Sequence, residues 1–181
     1  MKNNQSGRSM VEMLGVLAII GVLSAGGLAG YSKAMFKHKL NNTMDQITML
    51  VTNIRTMYGT QGNYANLGDD VVSLGIVPAV MGSTPSSLTN PFKGSVTIGT
   101  YNFNSVSNSG FKVTYSDLPK EACIALATSD FGSGAGSGFI GVAIDSDSAP
   151  ATSEGDAYTM DGALAETGGC AEGSDITWFF Y

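Results

Sequence analysis

The sequence has few of the side chains on which catalysis and metal binding usually depend. Its 181 residues include one histidine, two cysteines and one tryptophan, and only 13% of them are charged. The serine-hydrolase motif G-x-S-x-G, the zinc motif H-E-x-x-H and the phosphate-binding motif G-x-x-x-x-G-K-[ST] are all missing. An enzyme is therefore not expected, and neither a metal nor an organic cofactor is predicted.

Positive charge is scarce over residues 61–181, which contain three lysines and thirteen acids. Residues 1–60 contain six lysines or arginines against two acids, so most of the basic groups lie near the N-terminus. An acidic surface of this kind favours solubility and gives no electrostatic footprint for nucleic acid. Nucleic acid is accordingly not predicted as a partner.

An uncharged apolar run occupies residues 13–31. As a helix it would span roughly 29 Å, about the thickness of the hydrocarbon core of a bilayer. A cleaved secretory signal is one interpretation, with Ser24-Ala25-Gly26-Gly27 as the cleavage site, and an uncut membrane anchor is another. Both leave Glu12 unexplained, because a carboxylate beside the hydrocarbon region is costly to bury and usually has a partner.

A third interpretation accounts for this acid. Gly7 followed by Arg8-Ser9-Met10-Val11-Glu12 resembles the prepilin-peptidase site of type IV pilins, where a short basic leader ends in glycine and glutamate is the fifth residue after the cut. The resemblance implies that residues 1–7 are a leader, that cleavage follows Gly7, and that the new amino group on Arg8 is methylated. It also implies that Glu12 pairs with the mature amino group of a neighbouring subunit, setting axial register in a filament.

Membership of this family would make the chain a filament subunit. The resemblance implies a single-pass precursor in the inner membrane, followed by a helical homopolymer in an extracellular pilus. The implied partners are other copies of the chain, the prepilin peptidase and methyltransferase, and the assembly platform with its ATPase. A type II secretion pseudopilin shares the same N-terminal pattern, and a membrane-anchored extracytoplasmic binding module or enzyme is the alternative from another class.

The apolar pattern becomes one-sided after residue 31. Apolar side chains recur there at steps of three or four residues, which is typical of an amphipathic helix; they are Phe36, Leu40, Met44, Ile47, Val51, Ile54 and Tyr58. We therefore expect one helix over residues 8–59, with Gly59 as its C-cap. Its assembly half is residues 8–31, where five glycines allow close packing or bending, and its amphipathic half is residues 32–59.

Residues 60–181 are predicted to form one globular domain. Asn66 is expected to cap a short helix that ends before Pro78. The other predicted elements are strands over 95–103, 110–116, 139–144 and 176–181, and a helix over 119–128. The first two strands would form a hairpin with a polar loop over 104–109. The expected fold class is α+β, a long helix packed against an antiparallel sheet as in the α/β roll of type IV pilins.

Short phrases in this domain resemble the type IVb branch of the family. They are Gly75-Ile76-Val77-Pro78, Thr89-Asn90-Pro91-Phe92, Leu118-Pro119-Lys120-Glu121-Ala122-Cys123 and Ile176-Thr177-Trp178-Phe179. The late Cys170 is part of the resemblance, which implies that a disulfide bounds the C-terminal region 123–170. An extracytoplasmic location also favours a disulfide between Cys123 and Cys170, with two unrelated buried thiols as the alternative.

Three further candidates for ligand sites are interpreted as surface features. His38 lies between two lysines and has no second metal ligand near it in the sequence. The glycine-rich segment 132–138 lacks the lysine and the following helix of a phosphate site. Asp145-Ser146-Asp147, with Glu154 and Asp156 nearby, lacks the full spacing of a calcium loop, so an acidic surface is expected.

Overall fold

The computed structural model describes residues 10–131, 138–152 and 155–181. The chain divides into two compact units, residues 1–39 and 40–181. One continuous helix, α1 (Met10–Tyr58), contributes residues to both units. The single long helix predicted from the sequence is thus confirmed from Met10 onward, and its predicted start at Arg8 lies outside the described residues.

Four antiparallel strands form the sheet of the second unit. They are β1 (Val96–Phe103), β2 (Val106–Leu118), β3 (Phe139–Ile144) and β4 (Ser174–Phe180). Their order across the sheet is β1-β2-β4-β3, so the last strand in the sequence lies between two earlier ones. The predicted α+β fold, a long helix with an antiparallel sheet, is confirmed.

The core of the second unit lies between α1 and one face of this sheet. Ile47, Leu50 and Ile54 follow each other at helical spacing and are all fully buried. Opposite them, alternate residues of the strands point inward, as the period of two in a strand requires. The largest of these inward side chains are Phe111, Tyr115, Trp178 and Phe180.

The hairpin between β1 and β2 differs from the prediction. Its loop contains two residues, Asn104 and Ser105, rather than the six residues predicted. Both have positive φ, 51° and 64°, as a two-residue hairpin turn of type I′ requires. A register shift between Tyr101 and Phe103 then allows the polar residues after the turn to join β2.

Three short α-helices lie in the described part of the second unit, besides a 3-10 helix over Pro85–Ser87. α2 (Leu67–Asp70) is the short helix expected near residue 66, and α3 (Lys120–Ala127) confirms the helix predicted over 119–128. The predicted cap was wrong: Asn66 has φ 63° and its side chain makes no capping hydrogen bond. A side-chain cap needs an extended backbone at that position, so the left-handed conformation prevents it. α4 (Met160–Ala163) was not predicted.

Both outer strands of the sheet have hydrogen-bonded neighbours. Beside β3, Ala151 donates its backbone N–H to Val142, and Val142 donates its own to the Thr152 hydroxyl, each at 3.0 Å. Beside β1, Val96 donates its backbone N–H to the Leu88 carbonyl at 2.9 Å. The segments next to these strands therefore occupy part of each exposed edge.

Candidate functional site

The most unusual surface of the chain is the apolar side of α1 in the first unit. Its large apolar side chains are more than half exposed through at least five turns, for example Leu14 at 67%, Ile19 at 62% and Leu23 at 70%. Mean hydropathy reaches 2.1 over eighteen residues, and this helix is long and apolar enough to cross a membrane. An exposed apolar surface of this size needs lipid or another protein to cover it.

Five glycines lie within the same part of the helix, at positions 15, 21, 26, 27 and 30. The helix is unbroken through all of them, although glycine lowers helix propensity. A Cβ atom built on any of the five would meet no atom within 4 Å. These positions therefore leave space through which the backbone of another helix can approach closely. The predicted bending at these glycines stays a prediction.

The residues of the predicted processing site are only partly described. Gly7 and Arg8 lie outside the described residues. Glu12 lies in the first turn of α1, is exposed, and belongs to no ion pair among the described residues. Its carboxylate is well placed to interact with the positive end of the helix dipole. The structure thus places the predicted assembly acid at the N-terminal end of the described apolar surface.

The two cysteines are joined by a disulfide in the second unit. Cys123 lies on α3, Cys170 follows α4, and their Cα atoms are 5.7 Å apart. Both residues are buried, with exposed fractions of 0% and 4%. The two cysteines are 47 residues apart in the sequence, and β3 lies between them. The disulfide therefore ties Cys170, at the end of this region, to α3 at its start.

A partly buried arginine, which no sequence pattern distinguishes, lies at one end of the sheet. The guanidinium carbon of Arg55 is 5.5 Å from the ring centroid of Phe180 and 6.0 Å from that of Phe111. Its Nη2 atom is buried and has no hydrogen-bond acceptor among the described residues. A Cβ at Gly138 would lie 2.5 Å from Nη2 and 2.6 Å from the Tyr181 oxygen, so glycine is required beside it.

Part of the outer face of the sheet is polar. Lys112 donates to the Asp147 carboxylate at 2.8 Å, and the hydroxyls of Thr114 and Thr177 are 2.9 Å apart. Asp145 accepts hydrogen bonds from the Asp175 backbone N–H at 2.8 Å and from the Ser174 hydroxyl at 3.2 Å.

Two of the carboxylates considered as a calcium site, those of Asp145 and Asp147, are therefore used within the chain. Within the described ranges, no three His, Cys, Asp or Glu side chains are grouped to hold a metal. Glu154 and glycine-rich residues 132–137 lie outside these ranges, and His38 is exposed on α1.

The contact between Lys112 and Asp147 predicts a small dependence of stability on pH. Hydrogen bonding to Lys112 holds the pKa of the Asp147 carboxyl below its usual range. The resulting stabilisation is present above the pKa of the unfolded chain and is lost as pH falls through the folded pKa. Because the Asp147 side chain is 68% exposed, we expect Asp147→Asn to cost less than about 1 kcal/mol at pH 7 and nothing near about pH 2. Thermal unfolding of the detergent-solubilised chain between about pH 2 and pH 7 measures the stability difference between parent and variant, with Asp45→Asn as the control. If Asp147→Asn still lowered stability in acid, the contact with Lys112 would not be the cause of the loss.

Comparison with solved structures identifies the fold. A crystal structure described as TcpA, a type IV pilin from the El Tor biotype of Vibrio cholerae, matches with a TM-score of 0.55 and 18% identity. The match covers 80% of this chain and 99% of that one. The chain thus has the fold of a type IV pilin.

The chain belongs to the Bundlin family, whose profile matches residues 33–180. It is 29% identical over 136 residues to the major structural subunit of the bundle-forming pilus of Escherichia coli O127:H6, covering 74% of this chain and 69% of that protein. It is also 29% identical over 139 residues to the toxin coregulated pilin of Vibrio cholerae serotype O1, covering 71% of this chain and 59% of the relative. The type IV pilin predicted from the sequence is confirmed, and these relatives are structural proteins rather than enzymes. The likeness to the type IVb branch stays a prediction.

Proposed function

We propose that the chain is the major structural subunit of a type IV pilus and that it polymerises through α1. The observation that carries this proposal is the continuous exposed apolar surface of α1, which needs a partner that a single copy does not provide. The names of the relatives, a pilus major subunit and a pilin, support it. The glycines along α1 would let copies of the helix pack closely inside a filament.

Maturation of the chain follows from the residues around Gly7. The chain enters the inner membrane as a precursor, the prepilin peptidase cuts between Gly7 and Arg8, and the new amino group is methylated. The mature chain then joins an extracellular filament through an assembly platform and its ATPase. Glu12, five residues after the cut, pairs with the amino group of a neighbouring copy as both enter a region without water.

Intact mass and N-terminal sequencing of protein sheared from the cell surface test this proposal. We expect a chain that starts at Arg8, carries one added methyl group and has lost two hydrogens to the disulfide. Gly7→Leu should leave an uncut precursor in the membrane and no sheared protein, whereas Ser6→Ala should be processed normally. A chain that starts near Gly26 would indicate an ordinary secreted protein, and an uncut parent chain would indicate a membrane-anchored module.

The carboxylate of Glu12 has its own test. Glu12→Gln keeps the size of the side chain and removes its charge, so cleavage should continue while the yield of filament falls. Asp45→Asn is the matched control, because Asp45 is an exposed acid on the same helix. Equal filament yields from the two variants would contradict the proposed role of Glu12.

A further inference from the structure

The positive charge of α1 is concentrated directly after its apolar run, residues 13–31. Lys33 and Lys37 follow that run, and no acid occurs between Glu12 and Asp45. Both lysines are exposed, and neither forms an ion pair with a described residue. These two residues, called here the lysine pair, are therefore available to an anion from outside the chain.

The lysine pair lies on one face of the helix. Side chains four residues apart are neighbours on an α-helix, so the two ammonium groups repel each other. An acid one turn away would offset this repulsion, but positions 29–30 and 40–41 hold none. An external anion that contacts both ammonium groups would relieve the repulsion.

The depth of the lysine pair matches that of lipid phosphates. At 1.5 Å per residue, Lys33 and Lys37 lie about 3 Å and 9 Å along the helix axis beyond Tyr31, the last residue of the apolar run. The headgroup layer of a bilayer extends about 5–8 Å beyond its hydrocarbon core on each side. Tyr31 is 66% exposed, as an aromatic residue at the membrane interface would be. Flexible lysine side chains at these positions reach the phosphate groups of that layer.

Membrane insertion by itself does not account for the lysine pair. The proposed function places Lys2 and Arg8 on the cytoplasmic side and the lysine pair on the opposite side. Cytoplasmic flanks usually carry the excess of Lys and Arg, so the pair opposes this orientation. A contact with lipid phosphates after insertion gives these charges a role that insertion does not.

We propose that the lysine pair binds the phosphate groups of anionic phospholipids and gathers such lipids around the unassembled subunit. This inference rests on the membrane stage of the proposed function and requires neither cleavage nor polymerisation. The chain continues from these lysines into residues 40–181, which contain ten more acids than cations. An anionic bilayer surface repels such a unit, so cations at this point of the chain stabilise the subunit at that surface. Acids of a second copy are the other candidate partner, but they require assembly, whereas phosphates are within reach of every inserted copy.

The test measures which lipids surround position 31. The full chain carrying Tyr31→Trp is reconstituted in mixed vesicles of phosphatidylcholine and phosphatidylglycerol, with one of the two lipids brominated high on its acyl chain. Bromine quenches indole fluorescence on contact, and Trp178 is 0% exposed, so the quenching reports on lipids next to the introduced indole.

Phosphatidylglycerol should quench more strongly than its share of the bilayer predicts. Each lysine near a bilayer surface favours an anionic lipid by about fivefold, and only the lipids on one face of the helix are affected. We therefore expect about twofold more quenching by brominated phosphatidylglycerol than by brominated phosphatidylcholine, corrected for mole fraction. Salt at about 1 M, which shortens the Debye length to about 3 Å, should remove the excess.

Matched variants assign the excess to the lysine pair. Lys33→Gln combined with Lys37→Gln should abolish it, and Lys33→Arg combined with Lys37→Arg should keep it. Lys93→Gln combined with Lys120→Gln removes two exposed charges from the second unit and should leave it unchanged. An excess that survives the double glutamine variant, or that survives high salt, would overturn the assignment.

The same measurement separates this inference from the proposed function. If neither brominated lipid quenches the introduced indole, residues 13–31 do not lie in a bilayer, and the membrane stage of the proposed function is wrong. Equal quenching by the two lipids would leave the membrane stage standing and would contradict the role of the lysine pair alone.

Discussion

Replacing Trp178 with alanine is expected to lower the free energy of unfolding by about 3–5 kcal/mol, as for other fully buried large aromatic residues. Trp178 lies on β4, inside the sheet, and is 0% exposed. Its ring meets those of Tyr115 and Phe131 edge to face, at 5.7 Å and 5.5 Å. Alanine would leave a cavity between these rings and α1, and strands on both sides of β4 would limit its collapse.

A matched substitution separates loss of volume from loss of the indole N–H. Trp178 Nε1 is buried and has no hydrogen-bond partner within the described part of the chain. Trp178→Phe removes this unsatisfied donor and keeps a ring in the cavity, so we expect it to cost less than about 2 kcal/mol.

Denaturant unfolding of the detergent-solubilised chain, followed by near-ultraviolet circular dichroism of its seven tyrosines, measures both changes. Val80→Ala, at a position that is 84% exposed, is the control and should change little. If Trp178→Ala and Trp178→Phe lowered the free energy of unfolding by similar amounts, the cavity would not be the main cause of the loss in stability.

Loss of the disulfide is the second large effect. Cys123→Ala combined with Cys170→Ala is expected to lower the free energy of unfolding by about 4 kcal/mol, because the unfolded chain regains the freedom of a closed loop of 47 residues. Reduction of the parent chain should produce nearly the same loss. The double variant should then be insensitive to the reductant, which makes it the control for side effects of the reagent. An unchanged unfolding midpoint in the double variant would show that the packing around α3 holds the region without the bond.

The elements predicted well from the sequence are those with a strong local pattern. The steps of three or four between apolar residues identified α1 as far as Tyr58, and a short apolar run identified β3 with its observed ends, Phe139 and Ile144. The proposed assembly surface was found for the same reason, because a long uncharged run is visible without knowledge of the fold. Family resemblance supplied Gly7, Arg8 and Glu12, which composition alone would not have connected.

The features that were missed depend on contacts between distant residues. Asn104 and Ser105 adopt left-handed conformations that neither residue requires by itself, so the sequence pattern predicts a longer loop. The two rings beside Arg55 lie together because Phe111 and Phe180 are directly paired in the register of β2 and β4, 69 residues apart in the sequence. No periodicity within one segment reveals such a pairing, so the sequence alone does not distinguish Arg55 from the other charges on α1.

The occupied edges of the sheet bear on how copies of this protein avoid associating in the wrong way. A strand with free backbone groups is a template on which another chain can add, and this is the usual start of amyloid-like aggregation. Here the segments beside Val142 and Val96 already use part of the hydrogen-bonding capacity of both outer strands. Copies of this domain brought close together would therefore meet through side chains rather than through continuous backbone pairing. The occupied edges thus disfavour the cross-β pairing that makes amyloid fibres extremely stable.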